Sequence, residues 1–480
     1  MLVIQIALVV MVGISTHVSD EGTGVVSGLE FAVDPMQYQH AADAILARSP
    51  HLLIDAPDWL AEIDNPFDPK ARAAAALETG WPSLWDYAYY NGNYYSYFGV
   101  LPALLLFLPY KVLTGTHLSN MAATIFLSII VVLCTATLTR NTLARYGRNR
   151  NVRDIVLFGM FAYIASGVVY LVFYPSFYHE AILSGLACAL GGVSVWIHAS
   201  SKPSFSKRLV SVGSLLVALT LVSRPPLVLV CLLAIPLFWQ RVFLPDQKVS
   251  SATWSRFASV VAPFLIIGIL AMWWNYIRFG NPFDFGSNYN LTGFDMTGPK
   301  SEFRVPLGII MYIFSPLNID FQFPFFSNYT VDTFFFGWLQ WRTGTIIEPY
   351  YGGIIAFLPL CLICLTLLSK NVQSHLVKFN TLSLSVWCLA VGIGIMLIDS
   401  TVAVTQRYQS DFFWLFVLAT MLICLAFDEV QKPQWLYPAA IACVSFSGII
   451  MLVNLMAPER YCAWVATNPE LWQVLTSLFS

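Results

Sequence analysis

Long apolar runs recur along the chain and predict helices near 1–16, 118–138, 154–173, 181–199, 209–223, 226–240, 259–276, 351–369, 380–398, 411–427 and 435–455. A run of about 20 apolar residues is what a helix needs to cross a hydrocarbon core of roughly 30 Å. A further apolar stretch, 97–114 (YFGVLPALLLFLPYKVLT), carries Pro102 and Pro109. Prolines kink a helix or start it afresh, so this segment suits a short helix lying at or dipping into the membrane surface. The pattern thus predicts an all-α polytopic membrane protein of about 11 transmembrane helices, with a non-spanning helix near 97–114.

Charge orients the bundle. The connection after 138 holds Arg140, Arg145, Arg148, Arg150 and Arg153. Basic residues concentrate in short cytoplasmic loops, which places this one inside. Alternation then puts 200–208, 241–258, 370–379 and 428–434 inside as well, and together the five loops hold 14 Lys and Arg. Run backwards, the same alternation leaves both ends of 97–114 outside, which agrees with a helix that does not cross. The first helix has no basic residue before it and reads as a membrane anchor rather than a signal peptide.

The chain is expected to form one integral membrane domain over 1–480. Its extracytoplasmic parts are a first loop (17–96), a second, aromatic-rich loop (277–350) and a tail (457–480). The first loop holds 12 of the 27 Asp and Glu, so it is where acid chemistry is to be sought. Composition narrows the classes further. Only 11 % of residues are charged, 57 % are apolar and mean hydropathy is +0.67. A soluble globule does not hide that much apolar surface, and a net charge of −2 gives no basic face for nucleic acid. Cys361 and Cys364 form a CxxC within an apolar run, where small packing residues are the simpler reading.

Several residues carry candidate chemistry. In FAVDPMQYQHAADAILA, Asp34 followed by Pro35 predicts a helix with Asp34 as its N-cap. Capping explains Asp34 completely; a carboxylate at a membrane surface also suits a general base. Tyr38 follows four residues later on the same face. In WDYAYYNGNYYSYFG, the NGN run supplies a turn and the tyrosines read as an interfacial belt. Asp86 lies among those aromatics, a combination that suits carbohydrate as well as a structural acid. Arg224 (LVSRPP), Arg278 (WWNYIRFG) and Arg407 (QRYQSDF) stand at the outer ends of apolar runs. They either snorkel to the interface or offer planar forks to a phosphate. His179 beside Glu180 supplies two ligands for a metal, fewer than an ion needs. No metal site is assigned, and a divalent metal stays open as a cofactor.

As a set these features resemble the GT-C superfamily of membrane glycosyltransferases, which includes the protein O-mannosyltransferases and the aminoarabinose transferase of lipid A. The likeness is strongest to a bacterial branch with stretches such as WDYAYYNGNYYSYFGVLPALL, NYIRFGNPFDFGSNYNLT and QRYQSDFFW. It implies a donor sugar on polyprenyl phosphate, a glycan, lipid or protein acceptor, the lipid bilayer as surroundings, and a multi-pass protein of the bacterial plasma membrane whose active site faces outward. It implies that Asp34, in the D-x-x-x-Y pattern with Tyr38, deprotonates the acceptor hydroxyl. Relatives often have a second acid where this chain has Pro35; the Asp20–Glu21 pair is the alternative base. Arg224, Arg407 and, less closely, Arg278 would hold the lipid phosphate, and attack opposite the leaving group would invert the sugar centre. A transporter of lipid-linked sugars is the competing reading, but no internal repeat of the kind it would need is visible. A non-catalytic envelope assembly protein is the other.

Overall fold

A helix pairs its own backbone, so apolar runs in a membrane fold as helices before anything else. The computed structural model describes residues 1–15, 31–147, 151–243, 251–298, 303–319, 323–325, 346–347, 352–430, 434–456 and 468–479. Every one of the eleven apolar windows contains helix. Among the described residues, seven helices are long and apolar enough to cross a membrane: Asn120–Tyr146, Phe177–Ser200, Pro225–Val242, Ser251–Phe279, Leu382–Ser400, Gln406–Phe427 and Leu436–Asn454. An eighth is the pair Pro359–Leu368 and Lys370–Lys378 if its 98° bend lies within one span.

The remaining windows are shorter or interrupted. The first is Leu2–Ser15, of 14 residues. The 154–173 window breaks into Val152–Ala165 and Val168–Phe173 at Gly167, whose φ of +64° is open chiefly to glycine. The 209–223 window is α-helical over Lys207–Leu219 and tightens to a 3-10 turn at Thr220–Val222. The 97–114 stretch is helical over only Ala103–Thr114, too short to cross.

The helix Gln406–Phe427 is the axis of the bundle: all of its most apolar window is buried, against 22 % for Ser251–Phe279 at the periphery. Small residues bring other helices close. A Cβ on Gly192 would stand 2.6 Å from Val217 Cγ2 and 2.8 Å from the Gly213 carbonyl, so the helices Phe177–Ser200 and Lys207–Leu219 meet backbone to backbone. Trp196 fills the space beside this contact, fully buried, and donates from its indole to the Val210 carbonyl at 3.2 Å.

The basic connections gather at one end. The Arg153 guanidinium lies 3.2 Å from the Tyr437 ring centroid, Arg241 donates to the Lys202 carbonyl at 2.9 Å, and Lys207 donates to Ser255 at 2.6 Å. The first loop packs at the other end and makes a small apolar core of its own. Its helix Gln37–Leu46 is tied to the start of Asn120–Tyr146 by amides: Gln39 donates to Asn120 Oδ1 at 2.7 Å, and Asn120 donates to the Pro35 carbonyl at 2.9 Å. Tyr38 is buried there and stacks on Phe107 of the short non-spanning helix, with ring centroids 5.6 Å apart.

Two sequence expectations change in this region. The helix begins at Gln37 rather than at Pro35, and Asp34 instead accepts the Met36 N–H at 2.8 Å in a turn before it. The tyrosines of the 85–98 stretch are not simply a belt. Asn91 and Gly92, both at positive φ, turn a hairpin that pairs Ala88–Tyr90 with Asn93–Tyr95, and Tyr87, Tyr89 and Tyr94 fold inward, edge to face. Among the described residues, the remaining strands are two-residue parallel pairs, Phe31–Ala32 with Ser83–Leu84 and Ile346–Ile347 with Ala403–Val404.

Candidate functional site

At the end away from the basic connections, a cavity of about 240 Å³ opens between the loops and the bundle. Asp86, Tyr178, Arg224, Asn290 and Arg407 all line it, with Trp85 and Phe294 among its aromatic walls. These residues come from five separated parts of the chain. The fold therefore brings together three residues that the sequence singled out: Asp86, Arg224 and Arg407.

Asp86 is held from both its backbone and its side chain. Its φ of +59° is costly for a residue with a Cβ. Its N–H donates to the Leu291 carbonyl at 2.9 Å, and its carbonyl accepts from Gln37 Nε2 at 3.0 Å, which pays for that geometry. The carboxylate is buried. Asn290 Nδ2 donates to Oδ1 at 3.0 Å, and the Tyr178 hydroxyl donates to Oδ2. Burial pushes the carboxyl above the ordinary carboxylate range, and the hydrogen bonds from Tyr178, Thr292 and Asn290 offset only part of this. A more basic carboxylate with both oxygens oriented suits proton abstraction better than an exposed one.

Arg407 stands in the first turn of the axial helix, its guanidinium 4.5 Å from the Tyr178 ring centroid. Arg224 is placed between two 3-10 turns by the prolines that follow it. Its fork is already engaged. Nε donates to Asp411 Oδ2 at 2.8 Å, and Nη2 reaches Asp411 Oδ2 at 2.7 Å and Asp399 Oδ1 at 3.2 Å. Its guanidinium also lies over Tyr408, 4.4 Å from the ring centroid.

The other candidates lie elsewhere. Asp34 and Tyr38 do not line the cavity. Asp34 accepts from His40 Nε2 at 2.9 Å as well as from Met36. Burial acts to raise its carboxyl, but these hydrogen bonds outweigh burial and hold it below the ordinary range. Arg278 fastens its helix to the first loop, donating to the Ser96 carbonyl at 3.1 Å and to Asn275 at 2.8 Å, and lines a separate small cleft beside Trp274. The Asp20–Glu21 pair and most of the second loop's GTIIEPYYGG lie outside the described residues.

His179 is buried with Nδ1 bonded to the Leu171 carbonyl at 3.0 Å. Among the described residues, no three His, Cys, Asp or Glu side chains come together in a way that could hold a metal ion. The described cysteines, Cys361 and Cys364 among them, carry no disulfide.

Sequence reasoning missed Tyr178 and Asn290 as walls of the cavity, and Asp399 and Asp411 as the partners that hold Arg224 from behind it. Signals existed for the acids: Asp399 ends an apolar run and Asp411 begins one, and an ionisable residue at such depth is a functional candidate by default.

A multi-pass helical bundle with an acid and arginines walled into a cavity at one end defines the class: an all-α polytopic membrane protein with a polar site at its surface. No family model matches the sequence, and no curated protein matches it. Among solved structures, the chain is similar to the oligosaccharyltransferase of Archaeoglobus fulgidus in its apo form, with a TM-score of 0.43, 10 % identity, and coverage of 98 % of this chain and 56 % of that one. It is also similar to the archaeal oligosaccharyltransferase AglB from the same organism, in complex with an inhibitory peptide and a dolichol-phosphate, with a TM-score of 0.32, 11 % identity and the same coverage. The chain spans about half the length of the solved chains it matches.

Proposed function

We propose that the protein is a glycosyltransferase that moves a sugar from a polyprenyl-phosphate donor to an acceptor on the outer face of a bacterial plasma membrane. The observation that carries this reading is the shared cavity of Asp86 and Arg407. The resemblance of the WDYAYY, NYIRFG and QRYQSDF stretches to the GT-C superfamily gives it a reaction class.

The cavity's residues divide the work by charge. Asp86, oriented by Tyr178 and Asn290, takes the proton of the acceptor hydroxyl as that oxygen attacks the sugar carbon. The bond to the lipid phosphate breaks, and the phosphate gains negative charge as it leaves. Arg407, itself buried and fixed over Tyr178 before the reaction begins, meets that charge without having to reorganise. The leaving phosphate needs no proton, so one acid suffices. Attack from the face opposite the phosphate inverts the sugar centre. Trp85 and Phe294 offer ring faces on which a sugar can stack.

This assignment makes Asp86 the base in place of Asp34. A transfer assay tests it. The purified chain is offered radiolabelled polyprenyl-phosphate sugars, with membrane extract as acceptor, beside Asp86→Asn and Asp34→Asn variants. Expected are transfer by the wild type, a loss of about 10²- to 10⁴-fold in Asp86→Asn, and a change of only a few fold in Asp34→Asn. Loss confined to Asp34→Asn would return the base to Asp34. Donor binding without transfer from any sugar would overturn the enzyme reading in favour of transport or assembly.

A further inference from the structure

Arg224 carries one positive charge and meets two carboxylates, Asp399 at the end of one span and Asp411 at the start of the next. The Asp399 side chain is 3 % exposed and that of Asp411 is not exposed at all. If both were ionised, the cluster would hold a net negative charge away from water, a costly state. Each carboxylate spends one oxygen on Arg224, Asp399 its Oδ1 and Asp411 its Oδ2. The other oxygens, Asp399 Oδ2 and Asp411 Oδ1, are buried and have no hydrogen-bond partner. The two carboxylates also interact directly with each other.

We infer that Asp399 and Asp411 share one proton, which makes the three-residue network neutral and fixes Arg224 as a positioning residue rather than a phosphate ligand. One proton settles both difficulties at once. It removes the surplus charge, and it turns two orphaned acceptors into a donor and an acceptor. The groups that face the network are the Tyr408 ring beneath Arg224 and Tyr97 across the cavity wall, with Arg407 one residue before Tyr408. The network then does mechanical work. It joins the span Leu382–Ser400, the axial helix and the turn at Arg224, the three elements that carry one wall of the cavity. The consequence for phosphate rests on the glycosyltransferase reading; the shared proton does not.

The test separates the two. Infrared difference spectra of the full chain in lipid nanodiscs near neutral pH compare the wild type with Asp399→Asn and Asp411→Asn. The carbonyl band of a protonated carboxylic acid is expected to vanish in each single variant. Because an amide can stand in for the protonated member of the pair, each single variant is expected to melt within about 3 °C of the wild type. Each is also expected to bind undecaprenyl phosphate within about threefold, since the charge on Arg224 stays balanced. The double variant leaves that charge buried and bare, and it is expected to lose about 10 °C or more, or to yield no folded protein. An infrared band unchanged in both single variants would overturn the inference, whether or not the protein transfers sugar. So would a single variant as unstable as the double.

Discussion

Asp34 and Asp86 belong to the same loop, yet their surroundings push their acidities in opposite directions. Asp34 is held below the ordinary range by its hydrogen bonds, so the fold favours its ionised form. Its stabilising effect is present above the unfolded value of about 3.9 and is lost as pH falls through the lower folded value. Thermal melts of Asp34→Asn should therefore show a deficit of a few degrees at pH 7 that shrinks toward pH 3. Asp86 is raised, so the fold favours its neutral form. Stability from that group is greatest below its unfolded value and is lost as pH rises through the folded one. Asp86→Asn should consequently melt no lower than the wild type at pH 7 while losing turnover, a trade typical of a site strained for function. The acid limb of the wild-type kcat/KM profile should fall at a pH above about 3.9, and it should be absent from the residual rate of the variant. Asp34 was legible as a candidate because its signal, D-x-x-x-Y, is local. The surroundings of Asp86 were not, because Asn290 lies 204 residues away and Tyr178 lies 92. The same distance in sequence hid the partners of Arg224, 175 and 187 residues downstream.

At the scale of elements, every apolar window contains helix, because a membrane leaves the backbone no other way to pair its polar groups, but the short apolar helix Arg304–Phe314 lies unpredicted within the second loop. Hydropathy did not show where helices tighten or break. Pro225–Leu233 and Pro359–Leu368 wind as 3-10 helices, and Gly167 interrupts an apolar run that reads as continuous. Those features depend on what packs beside them. Gly99 shows how close the packing is around the cavity: a Cβ there would stand 2.5 Å from the carbonyl oxygens of Val222 and Ser223. Backbone on both sides cannot step aside as a flexible side chain does. Gly99→Ala should cost about 1–3 kcal/mol by denaturation, and should weaken donor binding as well, because the displaced turn carries Arg224. A full melt at the wild-type temperature would show that the turn yields freely.

For the whole molecule, the basic connections and the cavity occupy opposite ends, which the distribution of Lys and Arg foretold without any tertiary information. An impermeant thiol reagent applied to sealed vesicles should therefore reach a cysteine placed at Lys202 from one side of the membrane and one placed at Asn91 from the other; both positions are exposed. Labelling of both from the same side would contradict the arrangement.

The short helix Ala103–Thr114 has a consequence at this scale. Its twelve residues reach roughly 18 Å at 1.5 Å each, little more than half of a hydrocarbon core. Leu104, Leu105, Val112 and Leu113 project from it, exposed. A segment of that length adds area to a single monolayer and none to its opposite. Lateral pressure in that monolayer bears directly on the ring of Phe107 against Tyr38, beneath the loop that holds the acids. Lipids with small headgroups, which leave room at the surface for such a wedge, should favour the protein's insertion and steady the loop above it.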